Sequence, residues 1–126
     1  MNANKFPNIY TSYYAAIRKF TKNREYIFIS ISSSTPEWFN GDKYTILAPE
    51  WSLVNLYKSG KINKEEYKLS YLSLLNKRNI NPITIINNLK YNSVLLCYEK
   101  TGDFCHRRIL ADWLNEQTGI IIPELK

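Results

Sequence analysis

Two short apolar runs without a polar face constrain this chain most: Tyr26–Ser32 (YIFISIS) and Ser93–Tyr98 (SVLLCY). In the first, Ile27, Phe28, Ile29 and Ile31 break the period-2 alternation of a half-exposed strand, so a strand built from them is covered on both faces. It reads as a central strand. The second run, bounded by Asn92 and by the polar stretch Glu99–Asp103, reads as another buried strand. Strands of this kind belong to parallel sheets, whose crossover connections place helices on the sheet faces.

Punctuation supplies those helices. Pro49–Ser59 has a proline in its first turn and Gly60 just past its end, with Trp51, Val54, Leu56 and Tyr57 in partial helical period. Asn63 opens a longer helix, since Glu66 three residues on completes a capping-box pattern ahead of Tyr67, Leu69, Tyr71, Leu72, Leu74 and Leu75. That helix should run to about Arg78. Asn81 and Pro82 start a short helix through Leu89. A last helix begins at Phe104 or Cys105, with Ile109, Leu110, Trp113 and Leu114 on one face, Arg108 four residues before Asp112 on the other, and Gly119 at its end.

Three further segments complete the plan. Asn8–Tyr14 is rich in β-formers and predicts a short strand, Ala15–Phe20 a helical turn, and Ile120–Ile122 before Pro123 a final short strand. Alternating strands and helices predict an α/β fold, a small three-layer sandwich with a mainly parallel sheet. At 126 residues the chain fits a single domain over 1–126.

Charge and composition narrow the function classes. Seventeen Lys and Arg against eleven Asp and Glu give a net charge of +6, yet the lysines are scattered among Asn, Ile and Tyr rather than clustered as a nucleic-acid face requires. Two cysteines are too few for a disulfide scaffold, and reduced thiols in a cytoplasmic protein are expected. No apolar run approaches the roughly 18 residues of a membrane span, and Met1–Asn8 lacks the apolar stretch of a signal peptide, so no membrane partner is expected.

In an open parallel sheet, ligands bind beyond the carboxyl ends of the strands. The chain's two cysteines and one histidine fall within ten residues there: Cys97, Tyr98 and Glu99 end one strand, and Cys105, His106, Arg107 and Arg108 open the next helix. A helix N-terminus acidifies a thiol and holds an anion, which makes Cys105 a candidate nucleophile or anion-site cap. His106 offers proton exchange, Glu99 a carboxylate to orient it or act as base, and Arg107 a forked anion clamp. Arg108 is a second anion contact or only the partner of Asp112. Cys97 is a ligand contact or a small core residue. Ser30–Ser34 and Tyr10–Tyr14, with Ser32 and Tyr13 foremost, bring hydroxyls to the same edge, where ordinary turn chemistry is the competing reading. Asp103, immediately before, offers an alternative reading as the helix cap.

Other chemistries fit less well. A zinc site from Cys97, Cys105, His106 and Glu99 meets the objection that adjacent residues such as Cys105 and His106 rarely face one ion, and the usual paired-cysteine spacing is missing. No metal or cofactor is expected. The interval from Cys97 to Asp103 carries no Arg for a phosphate-cradling phosphatase loop.

The stretch VLLCYEKTGDFCHRRILADWL resembles the signature of the domain of unknown function 488 family: a strand ending in Cys-x-Glu, a short loop, and Cys-His-Arg opening a helix. IYTSYYAAIRK, ISISSSTPEWFNG and EYKLSYLSLL are also similar to short members from bacteria and their phages. The resemblance implies a compact α/β domain with Cys97, Glu99, Cys105, His106 and Arg107 clustered at one sheet edge, and it supplies no reaction. The chain departs from longer members in its short middle region and in Ser-Ser-Ser-Thr-Pro where many carry Asp-x-Arg.

The resulting expectation is a pocket that binds, and in its stronger form processes, a small phosphate-bearing or nucleotide-like ligand. The alternative is a non-catalytic module, phage-encoded and acting on host defence, whose Tyr- and Lys-bearing face engages nucleic acid or a host protein. A third reading makes the Cys-His-Arg cluster a buried network joining strand to helix. Oligomeric state is not legible.

Overall fold

The architecture is that of a computed structural model describing residues 8–20 and 26–125. Residues 1–7, on which the expectation of no leader rests, lie outside the described residues. Among the described residues, four strands form one parallel sheet: β1 (Ile9–Tyr13), β2 (Ile27–Ser30), β3 (Asp42–Lys43) and β4 (Ser93–Cys97), in the order β1-β4-β2-β3. All five residues of β4 are buried because the strand is paired on both sides and covered on both faces. This matches the small α/β sandwich with a parallel sheet that the apolar runs predict.

The two layers flanking the sheet differ in thickness. Ile9, Ile29, Ile31 and Leu95 face the main core, which receives buried side chains from all four α-helices: α1 (Trp51–Lys58), α2 (Lys64–Lys77), α3 (Pro82–Asn88) and α4 (His106–Thr118). The opposite face presents Val94 and Leu96 to Tyr14 and Phe39, with Tyr10, Ile17, Phe28 and Leu125 at the margin. A 3-10 helix, Tyr14–Lys19, stands there where the sequence predicts a helical turn.

Local signals explain the helix bounds. The capping box at α2 is complete: Glu66 N donates to Asn63 Oδ1 at 2.8 Å and Asn63 N to Glu66 Oε1 at 2.9 Å. Asn81 Oδ1 accepts from Ile83 N and Thr84 N at the start of α3. Gly119 ends α4 at φ 80°, a left-handed position that glycine takes without a Cβ clash.

Two segments differ from expectation. Ile120–Ile122 forms no strand. The C-terminal segment instead lies along β1 with a single bridge, Thr11 N donating to Pro123 O at 3.0 Å and Leu125 N to Thr11 O at 2.7 Å, because Pro123 has no N–H with which to extend a ladder. The two-residue strand β3 has no signal in the sequence. Gly41 just before it packs so tightly that an added Cβ would lie 2.6 Å from Phe28 O.

Candidate functional site

Because every strand runs the same way, Tyr13, Ser30, Lys43 and Cys97 end at one edge of the sheet. A pocket of about 350 Å³ opens there, within the usual range of small-molecule sites. Cys97, Cys105 and His106, all buried, form its inner end. Rings of Trp51, Tyr57, Tyr67, Phe104 and Tyr98 wall it, and Ser32–Ser34, Lys58 and Glu99 supply its polar groups.

The walls hold one another in place. Tyr57, Tyr67 and Phe104 form a triangle of ring contacts with centroids 5.0 to 5.5 Å apart. Burial pushes the Tyr67 phenol pKa up, with the Glu99 carboxylate and Tyr57 adding to the shift, so the group stays a neutral hydroxyl. On the far side of β4, Tyr14 Oη lies 2.7 Å from Ser30 Oγ and 2.5 Å from Ser32 Oγ, and its ring meets Tyr98 edge to face. Ser32 therefore both lines the pocket and anchors its loop.

Cys97 and Cys105 are joined by a disulfide, contrary to the expectation of two reduced thiols. The two sulfurs meet across the intervening loop, with the Cα atoms 7.4 Å apart. Cys105 is the N-cap of α4 with extended backbone (φ −154°, ψ 149°), whereas His106 is already helical. That change of backbone direction turns the adjacent side chains toward each other, with Cys105 Sγ 3.7 Å from His106 Nδ1. The spacing objection to their sharing a site therefore does not hold here.

His106 is oriented by Ile31 rather than by Glu99. Its Nε2 stands 2.6 Å from Ile31 O, so Nε2 carries the proton and Nδ1 presents a lone pair. Tyr71, buried and donating to Leu47 O, packs its ring against the imidazole. Burial lowers the His106 pKa to about 4; the hydrogen bond to Ile31 opposes this and the charge of Arg107 adds to it. The ring is therefore neutral at neutral pH. Glu99 lines the pocket with its carboxylate instead.

The two arginines lie outside the pocket lining. Arg107 is buried, its guanidinium bound to both carboxylate oxygens of Glu124, to Glu99 O at 2.6 Å and to Cys97 Sγ at 3.0 Å. It stands behind Cys97 rather than clamping an anion in front of it. Tyr13 contributes its ring to that guanidinium, 5.9 Å away, and is likewise not part of the lining. Arg108 donates to Thr11 Oγ1 and Ile122 O, which draws it to β1 and away from Asp112.

Glu124 is the residue the sequence hides. It accepts from Arg107, from Thr11 Oγ1 at 2.6 Å and from Thr101 Oγ1 at 2.7 Å. Burial works to raise its pKa, but these hydrogen bonds and the Arg107 charge hold it below the ordinary carboxylate value. No local pattern marks it, since its partners are 113, 23 and 17 residues away. Lys58 and the aromatic walls carried a fainter signal: Trp51, Val54 and Lys58 share one face of α1 at helical spacing.

Among the described residues, no helix is long and apolar enough to cross a membrane. No curated protein and no solved structure matches the chain. The profile of DUF488-N3a, described as the active DUF488-N3 subclade, matches residues 18–118, a span that includes β2, β4, all four α-helices and the whole Cys97–Arg108 segment. The motif, the parallel sheet and that match together make the chain a member of the DUF488 family, within its DUF488-N3a subclade.

Proposed function

We propose that the edge pocket binds and processes a small nucleotide-like ligand, its ring held between the aromatic walls and its reacting part placed against Cys97, Cys105 and His106. One observation carries this reading: a single cavity is walled by five rings and ends on the chain's two cysteines and one histidine. Flat heteroaromatic rings suit such walls, since stacking on an aromatic side chain is worth about 1–3 kcal/mol per base. The hydroxyls of Ser32–Ser34 and the Glu99 carboxylate can accept or donate to ring substituents and sugar hydroxyls.

A phosphate would be met by Lys58 and by the first turn of α4, not by Arg107, whose donors are taken by Glu124, Glu99 O and Cys97, or by Arg108, which is drawn to Thr11 and Ile122 outside the pocket lining. Recognition therefore rests on the ring more than on the phosphate. The description of the subclade as active supports a reaction at this site. The reading places the protein in the cytoplasm, where thiol systems keep Cys97 and Cys105 reduced.

Tryptophan fluorescence tests it. Trp51 lines the pocket while Trp38 and Trp113 do not. Nucleoside monophosphates titrated into the reduced protein should quench emission saturably, and Trp51→Phe should remove that component. Emission that stays flat to millimolar concentrations for purine and pyrimidine compounds alike would reject the reading.

A further inference from the structure

The ligand-capable atoms of Cys97, Cys105 and His106 all lie within 4.8 Å of one another, and all three residues are buried. Cys105 Sγ and His106 Nδ1 are 3.7 Å apart. A sulfur at about 2.3 Å and a nitrogen at about 2.0–2.1 Å on one tetrahedral zinc ion stand about 3.6 Å from each other. The Cα atoms of Cys97 and Cys105 are 7.4 Å apart, past the roughly 4.4–6.8 Å usual for a disulfide and open enough for an ion between two thiolates.

The surroundings agree. His106 Nε2 is tied to Ile31 O at 2.6 Å, which fixes the ring and leaves Nδ1 as the donor, as metal-binding imidazoles are held in general. Arg107 Nη1 lies 3.0 Å from Cys97 Sγ and favours its thiolate. Two thiolates and a neutral imidazole around a divalent cation sum to zero charge, which suits a buried site. Among the described residues three protein donors converge, and all three residues line the pocket, so a fourth position opens into it; sites that keep an open position are the catalytic kind.

We propose that in the reduced protein Cys97, Cys105 and His106 hold one zinc-class divalent cation whose fourth position faces the pocket. The proposal deepens the reading above, since it rests on that pocket for the ligand that meets the ion. Reduction precedes binding: a dithiol gives two electrons and two protons to the Cys97–Cys105 bond, leaving two thiols and becoming a disulfide itself. The cation then displaces the two thiol protons to solvent, and His106 binds through its lone pair without losing one.

The test uses the full chain, reduced and stripped of metal under anaerobic conditions, and titrated with cobalt(II). The expected result is sulfur-to-cobalt charge-transfer absorbance that saturates at one ion per chain and is displaced by zinc. Cys97→Ser and His106→Gln should weaken binding at least about tenfold. Because a variant at a buried position can fail to fold, the parent chain carries a second readout: equimolar zinc should slow alkylation of both thiols, and a chelator should restore it. Cobalt spectra without the sulfur band, or alkylation indifferent to zinc, would overturn the site. Nucleotide binding is measured in parallel on the metal-free reduced chain. Binding there without metal uptake rejects the metal site alone, and metal uptake with no nucleotide binding in either form rejects the pocket reading alone.

Discussion

The guanidinium of Arg107 grips both carboxylate oxygens of Glu124, with Nε 3.0 Å from Oε1 and Nη2 2.7 Å from Oε2. The Arg107 side chain is 1% exposed and that of Glu124 10%, so this pair ties the start of α4 to the C-terminal segment in a nearly dry setting. The same guanidinium reaches Cys97 Sγ and Glu99 O. The inner end of the pocket thus depends on a carboxylate that the pocket itself never touches.

Removing that carboxylate leaves a buried cation without its partner. Glu124→Ala should lower unfolding stability by about 3 kcal/mol, the usual cost of breaking a buried pair from one side. Urea unfolding of the reduced parent and variant measures it, and a loss below about 0.5 kcal/mol, the level of an ordinary surface change, would contradict the pair's role.

The same residue sets a pH dependence. Glu124 has a lowered pKa in the folded state, so the folded protein binds fewer protons than the unfolded chain between the two values. Its contribution is fully present above the unfolded carboxylate pKa and is lost as pH falls through the folded one. The stability gap between the parent and Glu124→Gln should therefore be constant from neutral pH down to the ordinary carboxylate range and should close below it. A gap that widens on acidification contradicts this sign.

Gly41 admits no side chain. A Cβ there would stand 2.6 Å from Phe28 O and 2.6 Å from the tip of the Phe39 ring, and the carbonyl belongs to β2 and cannot yield alone. Gly41→Ala should cost about 1–3 kcal/mol as an overpacked position, measured by chemical denaturation. An unchanged midpoint would show that the β2–β3 connection shifts freely.

Trp51 separates binding from stability. It is 57% exposed and lies on the pocket wall. Trp51→Ala should leave stability within about 0.5 kcal/mol while weakening a stacked ligand about 5- to 150-fold. Isothermal titration beside thermal unfolding reads both, and equal affinity in parent and variant would remove the ring wall from recognition.

What the sequence discloses depends on the range of the interaction. Ser93–Cys97 is legible because five buried residues in a row have no other use, and α2 because Asn63 and Glu66 cap it locally while Tyr67, Tyr71 and Leu75 recur every fourth residue. The clustering of Cys97, Glu99, Cys105 and His106 is legible because the strand and helix that carry them are consecutive. The duty of Arg107 is not, because its charge is consumed by Glu124, whose approach depends on a proline-ended segment lying along β1. The group that orients His106 is hidden for a similar reason: the carbonyl belongs to Ile31, 75 residues earlier. Ile120–Ile122 has the composition of a strand, but Pro123 withholds the next donor.

The most direct measurement is a thermal-shift comparison of nucleosides, nucleoside monophosphates, ribose phosphate and inorganic phosphate on the reduced parent, Trp51→Ala and His106→Gln. A ring-recognising pocket at this edge predicts that nucleosides and nucleotides raise the parent's Tm, that ribose phosphate and phosphate do not, and that Trp51→Ala, unchanged in its own Tm, loses the shift. Equal shifts in parent and Trp51→Ala, or a response to phosphate alone, would contradict it.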